Sequence, residues 1–298
     1  PVAERSVIFA EESVRLAGLI ARLRQLSVAP VVDRAARDLA ASVVLPEPEE
    51  ASVDAFLAAV EPAQRREDAL AVCALMREIT AVARALSDRT DIDVVILTGD
   101  ARCFSAGADL NDAQAWADDT LSTVQRRDIA GTGFRMCKAW EEMPQITIAA
   151  IEGYAVGGGL ALSLACDWRV LAQDAFVSLP EIALGIPLTW GTIPRLVNLL
   201  GPAKAKRLTI LCERIAAPEA LTMGLVDHVS ETGQALTRAQ ALAAQTLAQP
   251  AATVRMSKES VNAAATALNH ATSYMAHDQI ALAASSPESR AARDQALR

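Results

Sequence analysis

Residues 146–160 read ITIAAIEGYAVGGGL. The run from Ile146 to Ile151 is apolar or β-branched throughout, which predicts a buried β-strand. A glycine-rich loop over residues 153–159 follows it, and the apolar stretch from Leu160 to Cys166 predicts a helix. A buried strand that passes through glycines into a helix is typical of a parallel α/β sheet.

The same arrangement occurs a second time upstream. Residues 93–98 read DVVILT and predict another buried strand, which is followed by the loop 99–109, GDARCFSAGAD. A third short strand is predicted from Trp168 to Leu171, and an amphipathic helix over residues 70–88. Apolar strands that alternate with helices predict a parallel α/β core.

Helical patterns dominate the two ends of the chain. Residues 1–45 are expected to be helical, and residues 120–142 are expected to form one long helix that ends before Pro144. From Ile193 onward the pattern is helical. We therefore predict three parts: a helical N-terminal segment over residues 1–70, an α/β core over residues 71–215, and a helical region over residues 216–298.

Composition excludes several classes of function. The net charge is −8, which argues against nucleic-acid binding because that function needs a basic face. The chain has three histidines and five cysteines, and no two of the cysteines have CxxC spacing. We therefore expect neither a metal site nor disulfide bonds. We find no apolar run long enough to span a membrane and no signal-peptide pattern, and we expect a soluble, cytoplasmic protein.

The two loops carry the chemistry of the sequence. Small residues at a strand end let a ligand approach the backbone, and the start of a helix offers unpaired N–H donors. Two such donors can stabilise a developing oxyanion. A dinucleotide-binding motif that starts at Gly157 would need glycine where Leu162 stands, and a phosphate-binding P-loop fails at Leu160. Glycine turns that serve only close packing remain the alternative.

Four segments between residues 94 and 229 resemble the enoyl-CoA hydratase/isomerase (crotonase) superfamily, and a weaker similarity at residues 254–260 fits its trimerisation region. The resemblance implies a spiral of ββα turns with a helical C-terminal part, assembly as homotrimers or hexamers, and acyl-CoA substrates. Coenzyme A would then be part of the substrate, with no separate cofactor. The matching segments are VVILTGDARCFSAGADL, ITIAAIEGYAVGGGLALSLACDWRV, FVSLPEIALGIPLTWGTIPRLVNLLG, APEALTMGLVDHV and the weaker VRMSKES.

The resemblance assigns roles to individual positions. Ala106 and Gly158 match the two oxyanion-hole amides, and Glu181 matches one of the two glutamates of the hydratases. The second glutamate would fall at position 161, which is alanine here. One carboxyl group favours a single-base reaction, such as moving the double bond of an enoyl-CoA. A hydratase or hydroxyacyl-CoA hydratase-lyase, and a CoA-binding subunit without turnover, remain alternatives.

Burial beside Leu179, Ile182 and Leu184 is expected to raise the pKa of Glu181, unless this residue only stabilises a helix N-terminus.

Five further residues are predicted to bind the substrate. Three of them also have a simpler interpretation: Asp109 as a helix cap, Trp190 as a core side chain and Tyr274 as a residue on a helix face. The family's opening strands are not evident in residues 1–70. The predicted substrate-binding residues are Ala108, Asp109, Gly157, Trp190 and Tyr274.

Overall fold

A computed structural model of the protein describes residues 6–11, 62–107 and 121–296. The strands are β1 (Ser6–Glu11), β2 (Ile92–Thr98), β3 (Ile146–Ile151), β4 (Tyr154–Val156), β5 (Trp168–Ala172), β6 (Phe176–Ser178), β7 (Ile215–Ala216) and β8 (His228–Ser230). The helices are α1 (Pro62–Ser87), α2 (Thr123–Ala130), α3 (Thr132–Glu141), α4 (Gly158–Ser163), α5 (Thr192–Leu211), α6 (Ala217–Met223), α7 (Ala235–Leu247), α8 (Ala251–Thr266), α9 (Asn269–Ser273), α10 (Ala276–Ser285) and α11 (Pro287–Ala296).

The main sheet is parallel and has the order β1-β2-β3-β5-β8. It contains all three strands that the apolar runs predict, and the α/β prediction is confirmed. Strands β2 and β3 are direct neighbours, with Val94 opposite Ile146 and Thr98 opposite Ala150. Because the two strands are parallel, the two glycine-containing loops leave the same edge of the sheet side by side.

The two faces of this sheet have different partners. Alternate residues of β2 and β3, such as Ile96 and Ile148, pack with Ala239 and Leu242 of α7. The opposite face belongs to the larger core cluster, which also contains Trp140 of α3. Because the side chains of a strand alternate between faces, strands buried on both sides consist mainly of apolar residues.

A second, smaller sheet has the order β4-β6-β7. Strands β4 and β6 are parallel, whereas β6 and β7 are antiparallel. Strand β4 lies between the end of β3 and the start of α4, so this small sheet holds the glycine-rich loop in place.

Three details of the prediction are wrong. Residues 6–11 form a strand that pairs with β2, although we expected a helix there; a short run such as Val7-Ile8-Phe9 suits a sheet edge. The rest of residues 1–61 lies outside the described residues. The helix expected over residues 120–142 is broken at Gly131 into α2 and α3. The C-terminal region is not wholly helical, because it contains β8.

No helix in the described ranges combines the length and the apolar character needed to cross a membrane.

Candidate active site

The two predicted loops lie side by side and are joined by backbone hydrogen bonds. Ser105 and Ala155 form a parallel β-bridge. The Phe104 N–H donates to the Tyr154 carbonyl at 2.9 Å, and the Val156 N–H donates to the Ser105 carbonyl at 2.9 Å. Ala106 follows Ser105 directly and Gly158 lies two residues after Val156, so the bridge holds the two N–H groups on adjacent segments.

The two loops pack so closely at Gly107 that no side chain fits between their backbones. A β-carbon at Gly107 would stand 2.9 Å from the Gly158 nitrogen and 2.7 Å from the Val156 carbonyl oxygen. Such distances are shorter than van der Waals contact. The chain segment after Ala106 therefore runs in contact with the segment that carries the Gly158 amide.

Hydrogen bonding distinguishes these amides from their neighbours. The Gly107 N–H donates to Ser105 Oγ at 3.1 Å, and the Gly157 N–H donates to the Ser178 carbonyl at 2.9 Å. Within the described part of the chain, the N–H groups of Ala106 and Gly158 have no protein acceptor. Gly157 was predicted to bind substrate. Its N–H group is already bonded, and its missing side chain leaves room beside the Glu181 carboxyl group. The two donors assigned from the resemblance are thus the ones left available.

Glu181 is presented to the glycine loop by a fixed turn. The turn follows β6 and the buried Leu179. The Glu181 carbonyl accepts hydrogen bonds from the Leu184 N–H at 3.1 Å and from the Ile186 N–H at 2.8 Å. Its side chain reaches the loop, where Oε1 lies 3.0 Å from the position of a β-carbon at Gly157. The main chain is therefore held while the carboxyl group extends toward α4.

Burial raises the pKa of Glu181 to about 7, and a hydrogen bond from its own backbone opposes this shift only in part. Its Oε2 atom is buried and has no hydrogen-bond partner among the described residues. The raised pKa agrees with the expectation from the sequence. One of the residues expected to bury Glu181 does not, because Ile182 is 45% exposed and does not enclose the carboxyl group. A carboxyl group in this state can both take and return a proton near neutral pH.

A sequence model of the enoyl-CoA hydratase/isomerase family matches residues 62–292, which is most of the chain. The chain belongs to this family. The crotonyl-CoA hydratase of Syntrophomonas wolfei is 34% identical over 186 residues, which cover 62% of this chain and 70% of that protein.

Solved structures agree with this membership. DspI of Pseudomonas aeruginosa is 35% identical, with a TM-score of 0.59, over 63% of this chain and 71% of that one. An enoyl-CoA hydratase from Bacillus anthracis is 34% identical, with a TM-score of 0.58, over the same two shares. The fold is therefore the crotonase fold.

Position 161 distinguishes this family member from the two-glutamate pattern. Ala161 is buried, with 2% of its surface exposed. It lies one helical turn after Gly158 in α4 and so shares a face with it. No charged group in the described ranges contributes to the pKa shift of Glu181. The Glu181 carboxyl group lies against the glycine loop at Gly157, one residue before the Gly158 amide.

The remaining predicted positions have different outcomes. Trp190 lies in the site, with its indole ring against Gly158. Tyr274 is 52% exposed in the turn between α9 and α10, and the structure does not bury it beside Glu181. Ala108 and Asp109 lie outside the described residues.

Three residues at this site were missed by the sequence analysis. Gly133 contacts the Trp190 ring from α3. Arg195 donates to the Trp190 carbonyl and to the carboxylate of Glu141. The Arg195–Glu141 pair spans two helices distant in sequence, so no local pattern reveals it. A glycine inside a predicted helix was the one available signal for Gly133.

Proposed function

We propose that this protein is an acyl-CoA enzyme in which Glu181 acts as the single carboxyl acid–base, and that it moves the double bond of an enoyl-CoA. The observation that carries the proposal is the Glu181 carboxyl group, whose buried Oε2 has no hydrogen-bond partner in the described part of the chain. It lies beside a glycine loop whose Gly158 amide is available there. Alanine at position 161 leaves the described site without the second carboxyl group of the two-glutamate pattern.

The proposed reaction uses one proton and returns it. The Glu181 carboxylate takes a proton from C2 of a 3-enoyl-CoA, and the electron pair of that C–H bond forms a dienolate. The Ala106 and Gly158 N–H groups donate hydrogen bonds to the thioester oxygen as it gains negative charge. The Glu181 carboxylic acid then returns the proton to C4, and the dienolate electrons close into the C2–C3 double bond. The product is the 2-enoyl-CoA, and Glu181 ends as a carboxylate.

Hydration is the second candidate. It is favoured by a relative that is named a crotonyl-CoA hydratase. Addition of water needs a group that holds and activates the water while a proton is delivered to C2. In this chain a group other than a carboxylate at position 161 would have to supply that function, in a hydratase or in a hydroxyacyl-CoA hydratase-lyase.

The test compares two reactions in the same preparation. We expect conversion of 3-hexenoyl-CoA to 2-hexenoyl-CoA to be faster than water addition to crotonyl-CoA. Glu181→Gln should lower the isomerisation kcat by about 10²–10⁴-fold, the range for loss of a general acid–base. Glu142→Gln is the matched control, because Glu142 is an exposed glutamate that pairs with Lys138 on the surface.

Other results would redirect the assignment. Faster hydration that also depends on Glu181 would support the second candidate. Binding of acyl-CoA without turnover of either substrate would support a non-catalytic CoA-binding subunit. Assembly as a homotrimer or hexamer is a separate prediction, which analytical ultracentrifugation checks.

A further inference from the structure

Trp190 has a backbone conformation that aromatic residues rarely adopt. Its φ is 57°, in the left-handed region, and Gly191 follows with a φ of 71°. A side chain makes this conformation unfavourable, so it persists only where surrounding contacts enforce it. A left-handed tryptophan next to Gly158 therefore indicates that the direction of the ring matters.

Arg195 supplies the contacts that hold this conformation. It is buried, with 6% of its surface exposed. Its Nη1 donates to the Trp190 carbonyl oxygen at 2.7 Å. Its Nε and Nη2 donate to the two carboxylate oxygens of Glu141, each at 2.8 Å. A bidentate pair fixes the plane of the guanidinium group, and hence the carbonyl that it binds.

The indole ring fills the gap between two helix starts. A β-carbon at Gly133 would stand 2.0 Å from the ring atom Cε2, and one at Gly158 would stand 2.4 Å from Cζ3. One edge of the ring thus touches the first turn of α3, and the other touches the first residue of α4. No side chain fits between the ring and either glycine.

Glu181 and Trp190 approach neighbouring residues of the same loop. The carboxyl group contacts Gly157 and the indole contacts Gly158. A thioester whose oxygen binds the Gly158 amide would therefore place its acyl group next to the indole. A long acyl tail that ran between α3 and α4 would collide with the ring.

We propose that Trp190 determines acyl-chain specificity by closing the space between α3 and α4, so that the site takes short-chain acyl-CoA thioesters. This inference rests on the proposed function. Arg195 and Glu141 are positioning residues, which hold the ring in the closed arrangement. Removing the ring opens the space and admits longer chains.

The test measures the binding of saturated thioesters, which needs no turnover. Butyryl-CoA and decanoyl-CoA are titrated into wild type and Trp190→Ala by calorimetry. We expect the ratio of the two affinities to shift toward decanoyl-CoA by at least about tenfold, the discrimination a pocket gives for a single methylene. An unchanged ratio overturns the chain-length inference alone. If neither protein binds any acyl-CoA, the proposed function itself fails.

A second pair of variants keeps the tryptophan in case Trp190→Ala does not fold. In Gly133→Ala the new β-carbon overlaps the Trp190 ring, so the ring must move. Gly131→Ala is its control in the same segment, because its nearest contact is the flexible Arg135 Nη1 at 3.0 Å. We expect the ratio of butyryl-CoA to decanoyl-CoA affinity to change in Gly133→Ala and to stay at the wild-type value in Gly131→Ala. Equal ratios in both variants contradict the inference.

Discussion

The carboxyl group of Glu181 lies against the α-carbon of Gly157, with Oε1 3.0 Å from the point where a β-carbon at position 157 would stand. Gly157 also has a φ of 57°, which side chains disfavour. Two separate requirements therefore demand glycine here: the backbone conformation and the space that the carboxyl group occupies. A substitution can distinguish them, because Gly233 shares only the first requirement.

Replacing Gly157 with alanine should disturb catalysis beyond its effect on stability. Both the left-handed backbone and the displaced carboxyl group contribute, and we expect kcat to fall by about 10²-fold, the typical effect of misplacing a reacting group by about 1 Å. Gly233→Ala is the matched control, since Gly233 has a φ of 76° and nothing within 4 Å of the added carbon. Thermal unfolding should show losses of about 1–3 kcal/mol in both variants, whereas equal activities would contradict the prediction.

The ionisation of Glu181 predicts how stability depends on pH. Burial raises its pKa to about 7, so the folded state binds this proton more tightly than the unfolded chain does. Between the ordinary carboxyl range and about pH 7, the free energy of unfolding therefore falls as the pH rises. Glu181→Gln removes this cost. In urea unfolding, the free energy of unfolding of the variant should be higher than that of the wild type by on the order of 2–3 kcal/mol at about pH 8. The two values should be equal at about pH 4.

The same ionisation predicts the pH dependence of the rate. A base must be deprotonated to accept a proton, so kcat/KM of the wild type should rise with pH through about 7 and then level off. Stopped-flow measurement of isomerisation across this range checks the midpoint. A midpoint in the ordinary range of a carboxyl group would show that the reacting group is not the buried Glu181.

Local patterns were enough to predict the three central strands of the main sheet. Strands β2, β3 and β5 are short, mainly apolar runs buried on both faces, and a run of this kind has few other stable arrangements. Strand β1 was misassigned because its identity depends on pairing with β2, more than 80 residues away in the sequence. Pairing of that range leaves no trace in a short window of residues.

The sequence indicated the two loops and the raised pKa of Glu181, but not the contacts that orient the side chains around them. Small residues mark both loops in the sequence, and the family resemblance assigns the two amides to Ala106 and Gly158, whose role stays a prediction. Trp190 was identified as a candidate, but its left-handed backbone depends on Arg195 and Glu141, which come from different helices. Tertiary contacts of this kind decide where a side chain points, and they are invisible in the order of residues.

The Arg195–Glu141 pair should control Trp190 rather than stability alone. Lysine cannot make the bidentate contact and bind the Trp190 carbonyl together, so we expect Arg195→Lys to lose about 1–3 kcal/mol of stability. It should also change the chain-length ratio of acyl-CoA binding in the direction of Trp190→Ala. Arg207→Lys is the control on the same helix, since Arg207 is an exposed partner of Glu213 and Glu219. A stability loss without a change in that ratio would make the pair purely structural.

The last helix, α11, packs on the turn that carries Glu181. A β-carbon at Gly185 would stand 2.5 Å from the Ser289 carbonyl oxygen and 2.6 Å from the Ser289 α-carbon. The C-terminal helix is therefore in backbone contact with the same short turn, four residues after Glu181.

Removing α11 should lower the pKa of Glu181, because water would then reach the carboxyl group and stabilise its ionised form. We expect deletion of residues 287–298 to shift the midpoint of the pH–rate profile from about 7 toward the ordinary carboxyl range and to reduce kcat. Gly185→Ala, which forces the turn and α11 apart, should shift it in the same direction. The control is Gly224→Ala, whose φ of 85° imposes similar strain and whose nearest contact is 4.0 Å away. If the midpoint stays in place while α11 is absent, the burial of Glu181 originates in the turn and the glycine loop alone.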